Sequence, residues 1–279
     1  MRRPPVLRMR LGLLSVFALA AAVLFSVVGP FFVPYSPTEV DIRTPPFGPA
    51  SREHPLGTDE LGRDVLVRLM HGGRVDLLVG GVAMLVAVLV GTSVGLVGGL
   101  LGGWSDFLLM RTTDTFMSIP AFFIMLNILT LFGPTVPNIV LAIGITSWMN
   151  VARVIRAEVL KLKGLDYIEA ARALGVATPR LILAHLLPNV MPSVIVASTL
   201  GVAWVILVST SLSYLGLGVQ PPTPSWGNML TNSQNYFWVD PVLVVYPGLM
   251  IILTVLSTNF IGEALRDALT PGSRDYSLR

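Results

Sequence analysis

Six apolar runs divided by short polar stretches limit what this chain can become: Leu11–Val33, Leu77–Leu101, Phe107–Phe132, Val136–Val151, Val190–Gly218 and Pro241–Leu265. A helix needs about 20 apolar residues to cross a bilayer, and only Val136–Val151 falls short of that length. Charged residues make up 13% of the chain and hydrophobic ones 53%, whereas a soluble domain carries about 25% charged. So little charge cannot clothe a globule of this size in water. The predicted fold class is an all-α polytopic membrane protein with six transmembrane helices. The fifth run is long enough to tilt or to continue outside the bilayer.

Arginine and lysine set the orientation. Arg2, Arg3, Arg8 and Arg10 precede the first run without an acid among them, which predicts a cytosolic N-terminus. Six crossings return the C-terminus to the cytosol. The basic residues left outside (Arg43, Arg52, Arg63, Arg68 and Arg74) share their segment with seven acids, so the bias holds. The first run passes Ala20–Ala22 and continues to Val28 without a clear cleavage site, so it reads as an uncleaved anchor rather than a secretory signal. The basic residues flank apolar runs instead of forming a patch, which fits membrane lipid as the partner and not nucleic acid.

Three parts follow: residues 1–34, a leader and first span; 35–76, an extracytoplasmic segment; and 77–279, a five-helix core that includes a cytosolic loop at 153–188. The outer segment opens with Pro34, Pro37, Pro45, Pro46, Pro49 and Pro55, which deny it helix interiors. From Thr58 or Asp59 to Arg74, Leu61, Val65, Leu66, Leu69 and Met70 recur at helical spacing opposite Glu60, Arg63, Asp64, Arg68 and His71. That pattern predicts an amphipathic helix on the membrane surface or a lid over a mouth. Gly91, Gly95, Gly99 and Gly103 form a stripe at four-residue intervals, the mark of a helix–helix contact in lipid. Arg111 and Asp114 have the spacing of an intrahelical pair, and Pro120 predicts a kink. Trp148, Trp226 and Trp238 fall near span ends, as an aromatic belt would place them.

Chemistry inside the chain is not expected. There is no cysteine, no phosphate-binding glycine loop ending in Lys-Ser/Thr, and His54, His71 and His185 are scattered over two sides of the membrane. No catalytic or metal site is predicted. The middle of each span lacks charge, which argues against an ion-coupled secondary transporter. The serines of the fifth span have no histidine or lysine on that span, so a membrane enzyme lacks its base.

The most specific stretch lies between the fourth and fifth runs. Gly164 precedes Asp166, which is placed to cap a short helix through Glu169, Ala170, Ala171 and Leu174. Gly175 ends that helix, Thr178-Pro179 starts a second one, and Pro188 closes it. The pattern Glu169-Ala170-Ala171, Gly175, then Leu187-Pro188 resembles the cytosolic loop of permease subunits in binding-protein-dependent ABC importers. His54-Pro55-Leu56-Gly57-Thr58-Asp59 with Leu61-Gly62-Arg63-Asp64, Leu212 to Gly218 with Pro221-Pro222 and Pro224 to Gly227, and His185 to Asn189 resemble the dipeptide/oligopeptide class. Together these motifs cover most of residues 10–272.

The resemblance implies a type I importer permease fold with cytosolic coupling helices, in the inner membrane of a prokaryote with both termini cytosolic. It implies a second homologous permease, one or two cytosolic ATPases and an extracytoplasmic solute-binding protein, with ATP and Mg bound by the partners and no cofactor in this chain. Asp166, Glu169, Ala170, Ala171, Gly175, His185, Leu187 and Pro188 would then couple to the ATPase. Asn127, Ser209, Ser213 and Tyr214 are the candidates for the translocation path. Many members of the class carry glutamate where this chain has Ser209, which leaves the cargo open between peptides and nickel, glutathione or other small solutes.

Overall fold

The computed structural model describes residues 5–40, 45–231 and 233–269. Arg2, Arg3, Arg43, the side chain of Arg8 and residues 270–279 of the third part lie outside that description. Every extended element among the described residues is a helix, and the only β feature is an isolated bridge from Thr58 to Asp64. The crossing helices are α1 (Pro5–Val27), α2 (Val65–Leu101), α5 (Val136–Lys163), α8 (Leu187–Tyr214) and α11 (Val242–Leu269). The remaining crossing is a broken pair, α3 (Gly103–Ser118) and α4 (Ala121–Phe132), bent by 80°. Pro120 has no N–H to continue the ladder, so the expected kink is a full break, with Pro120 starting α4 as its N-cap.

The centre of the bundle is α2 against α5, with α8 beside them and α1 paired to α11 on the flank. Glycines permit the central contact. A Cβ on Gly91 would stand 2.5 Å from the Trp148 carbonyl, one on Gly95 2.7 Å from the Ala152 carbonyl, and one on Gly99 2.8 Å from the Val159 side chain. Gly103 does not belong to this stripe. Nothing lies within 4 Å of its Cβ position, and with Gly102 it takes positive φ (54° and 68°) to turn the chain from α2 into α3.

The outer segment corrects the expectation of a surface helix. Gly57 and Gly62 hold φ of 76° and 73°, so residues 57–64 form a tight turn. Asp64 caps α2 by accepting the Val67 N–H at 2.8 Å, and α2 then runs unbroken into the membrane. The polar face is buried instead of solvated: Asp59 bonds Arg63 at 2.7 Å and Arg68 at 3.2 Å, and His54 meets Asp64 at 2.8 Å. Trp226 is likewise no interfacial anchor. It is fully buried at the start of α9 (Trp226–Leu230), its backbone N–H on Asp76 at 2.7 Å and its indole N–H on the Leu69 carbonyl at 2.9 Å.

Candidate functional site

α5 ends at Lys163 and Gly164, and a helical knob stands beyond it. Its first helix, α6 (Asp166–Ala173), starts after Leu165, which is the N-cap; Asp166 sits in the first turn beside Glu169 and makes no capping bond. The helix ends as the glycine demands. Gly175 has φ of 77°, its N–H reaches the Arg172 carbonyl at 2.9 Å, and the Val176 N–H reaches the Ala171 carbonyl at 3.1 Å. These two bonds satisfy orphan carbonyls of the last turn.

The two faces of α6 differ. Ile168 and Ala171 are buried and belong to the same apolar core as Val159 of α5 and Leu96 and Leu100 of α2. Ala171 therefore packs against the bundle and does not present itself to a partner. Tyr167, Ala170 and Leu174 (84% exposed) point outward one turn apart, flanked by Asp166 and Glu169. Arg172 reaches back to donate to the Leu100 carbonyl at 3.4 Å, at the last turn of α2.

The knob returns through α7 (Thr178–Leu181), a π turn at Ile182–Leu186, and then α8 without a loop. Pro188 does not close the second helix, as the sequence suggests. The π turn, with the Leu187 N–H on the Ile182 carbonyl, widens the backbone and lets helix continue past the ring. Leu186 is fully buried there, Leu187 and His185 are half-buried, and Pro188 is exposed. The His185 carbonyl accepts from the Asn189 amide at 2.6 Å. α7, the π turn and α8 thus form one continuous rod, and α6 joins it through the turn at 174–177.

The proposed path residues do not come together. Ser213 is buried, and its Oγ accepts the Val219 N–H at 3.0 Å, so it pins the turn after α8. Ser209 is fully buried, and its Oγ meets no partner among the described residues. Tyr214 is partly exposed at the end of α8. Asn127 is exposed on α4 and bonds its own helix at the Phe123 carbonyl (2.8 Å). It belongs to a lane that sequence reasoning assembled only in part. Arg111, Asp114, Thr115 and Ser118 of α3, Asn127 and Thr130 of α4, and Asn150 and Arg153 of α5 are all exposed. By contrast α1 exposes Leu13, Leu14, Val16 and Phe17, and α11 exposes Leu249, Ile252, Leu253 and Leu256. Those apolar faces suit lipid; α3 and α4 also expose Leu108, Phe116, Phe123 and Leu131, so the polar residues of α3, α4 and α5 form a strip on a mixed surface, and it is that strip which suits water or protein.

The end of the lane nearest the knob-bearing end of α5 is charged. Asp106 takes a bidentate bond from Arg156, 2.5 Å to each oxygen, and Asp114 pairs with Arg153 at 2.5 Å. The expected Arg111–Asp114 pair is absent because Arg153 reaches Asp114 from the facing helix, and Arg111 lies over the Phe107 ring instead. The residues sequence reasoning missed are Asp106, Arg153 and Arg156. Their signal was two acids on one side of α3 and two arginines one turn apart on α5.

The family model for the binding-protein-dependent transport system inner membrane component matches residues 87–275. The chain is 41% identical to the oligopeptide transport system permease protein OppC of Escherichia coli (strain K12), over 95% of this chain and 88% of that protein. It is 36% identical to the dipeptide transport system permease protein DppC of Alkalihalophilus pseudofirmus, over 94% of this chain and 86% of that protein. The glutathione transport system permease protein GsiD of Pectobacterium atrosepticum is 38% identical, over 80% and 74%. Among solved structures, an amino acid ABC transporter crystallised with histidines covers 72% of this chain and 94% of its own at a TM-score of 0.50 and 19% identity, a likeness of fold.

Proposed function

The chain belongs to the binding-protein-dependent transport system inner membrane components, and from that premise we propose that it is the peptide-conducting permease of an ATP-driven importer. The observation that carries this reading is the two-faced knob. Its inward face (Ile168, Ala171) continues the bundle core, and its outward ridge (Tyr167, Ala170, Leu174) is bare apolar surface on a membrane protein's cytosolic side. Such a ridge fits a groove on a separate ATPase. ATP and Mg belong to that subunit, and this chain carries no catalytic site.

The mechanism follows from stiffness. A push on α6 reaches α8 through α7 and the π turn, and reaches α2 through Arg172 and the buried Ile168. The one non-helical link on that route is the short turn at 174–177, which the Gly175 and Val176 N–H bonds to the Arg172 and Ala171 carbonyls hold to the end of α6. A second permease is expected to close the polar lane of α3, α4 and α5 into a path, and a solute-binding protein to deliver cargo to the outer face. On this reading both termini lie in the cytosol. The outer segment at 35–76 serves as a braced cap, since its buried charges Asp59, Arg63, Asp64 and Arg68 are spent on internal pairs. The 77–279 core carries transport.

Peptides are the cargo named for the relatives that cover most of this chain; glutathione, itself a peptide, is named for another. The decisive test is reconstitution with the second permease, the ATPases and the binding protein in proteoliposomes. ATP-dependent import of a labelled peptide, lost on omitting any one component, is the expected result. Import driven by an ion gradient without the ATPases would overturn the reading.

A further inference from the structure

The cleft between α3 and α5 holds one cation more than its ion pairs use. It has a volume of about 300 Å³ and is lined by Asp106, Phe107, Met110, Arg111, Asp114 and Arg156, with Gly103 at its rim. Asp106 and Asp114 are occupied by Arg156 and Arg153. Arg111 has no carboxylate among the described residues; its guanidinium lies 5.4 Å from the centroid of Phe107. An arginine held on an aromatic face keeps its forked donors free for a planar anion.

The direction from which an anion arrives is given by the rest of the helix. Beyond Arg111 the exposed face of α3 continues through Asp114, Thr115 and Ser118 to the break at Pro120. A lipid-facing stripe becomes more apolar toward the bilayer centre, whereas α3 keeps Arg111, Asp114, Thr115 and Ser118 exposed among the apolar Leu108, Phe116 and Ile119. The break itself is exposed, and non-helical backbone at membrane depth is stable only inside protein or beside water. The cleft therefore opens on the path and not on acyl chains.

We propose that Arg111 is a cargo contact at the cytosolic mouth, where it binds the terminal carboxylate of a peptide in transit. The inference rests on the peptide-import reading above. The two ion pairs fix the walls and neutralise Asp106 and Asp114, so the carboxylate meets no free acid; Arg111 is the unpaired cation of the lining, with the Lys163 ammonium beside Gly102 at the cleft's end. Bidentate contact with a planar guanidinium selects a carboxylate over an amide of the same shape.

The test uses the complete importer in proteoliposomes with tri-alanine and tri-alanine amide as probes. The ratio of acid to amide import is measured for the natural chain, Arg111→Gln and Arg111→Lys. A roughly tenfold fall in that ratio for Arg111→Gln, the loss of about one charge-assisted bond, with only partial recovery in Arg111→Lys, which restores the charge but not the fork, supports the inference. An unchanged ratio overturns it. So does failure of Arg111→Gln to assemble with the second permease, which makes Arg111 a subunit contact. An Arg111→Gln defect that is equal for both probes and tracks the anionic lipid content also overturns it, in favour of a headgroup. Import of neither probe by the natural complex refutes the peptide reading itself, and this inference with it.

Discussion

Ile168→Ala is expected to separate ATP hydrolysis from import. Ile168 is fully buried on the inward face of α6, in one core with Val159, Leu181 and Leu186. The change removes three carbons. At about 0.8 kcal/mol each, transfer alone costs roughly 2.4 kcal/mol, and the cavity left behind brings buried Ile→Ala changes to about 2–5 kcal/mol. A loss of about 2 kcal/mol is a shift of roughly 30-fold from docked to undocked knob. The outward ridge of Tyr167, Ala170 and Leu174 is untouched, so the ATPase still binds. In proteoliposomes ATP hydrolysis should stay within about twofold of the natural complex, while peptide imported per ATP falls at least about fivefold. Leu174→Ala is the converse: at 84% exposed it gives up little internal packing, so the chain stays folded and co-purification with the ATPase declines. If Ile168→Ala imports normally per ATP, the docking of α6 does not transmit the stroke and the argument from stiffness is wrong.

Gly175→Val should also lower import per ATP, through strain and not collision, because φ is 77° and a Cβ there meets nothing within 4 Å; the left-handed backbone costs an L residue about 1–2 kcal/mol, and Gly175→Asn should recover part of the loss. Gly95→Leu should lower the thermal midpoint of the purified chain more than Gly103→Ala, since the first drives a side chain into the Ala152 carbonyl and Arg156 nitrogen at 2.7 and 2.9 Å whereas the second meets open space. Asp106→Asn and Arg156→Gln should be non-additive in the same thermal assay, and additivity within about 0.5 kcal/mol would show that the bidentate pair is not what holds α3 to α5.

The spans were legible because bilayer thickness translates directly into run length, and Gly175 because only a left-handed helix end asks for glycine where the helical pattern stops. What stayed hidden depends on partners far along the chain. Arg63 and Arg68 read as a wetted face since nothing local shows that both converge on the buried Asp59. Trp226 matched the interfacial preference of tryptophan, but its partners Leu69 and Asp76 lie about 150 residues earlier. Arg111 and Asp114 obeyed the spacing of an intrahelical pair, and Arg153 across the cleft captured the acid. The hydroxyl-rich end of α8 looked like a path, although Ser213 needs its Oγ to hold a turn that only the folded loop reveals. Candidate path residues drawn from polarity alone therefore included a buried structural pin, Ser213, alongside the exposed Asn127.

The length of α2 ties these features into one mechanical argument. Its 37 residues make a helix about 55 Å long, against a hydrocarbon core of about 30 Å. It must project on both sides, and polar contacts hold each end. Outside, Asp64 caps it, Arg68 joins it to the Asp59 cluster, and Asp76 and the Leu69 carbonyl grip Trp226. Inside, Arg172 of the knob donates to the Leu100 carbonyl, and Gly91, Gly95 and Gly99 seat it against α5. A helix with an unbroken hydrogen-bond ladder bends only gently, so displacement of the knob tilts α2 as a body and carries the outer cap with it. The broken helix beside it behaves differently. The α3–α4 pair has a break at Pro120 and positive-φ glycines at its inner end, so it can change its angle while α2 stays straight. The stiff helix bears the fixtures and the hinged one bears the polar lane, which is the division of labour that working a gate with a rigid lever requires.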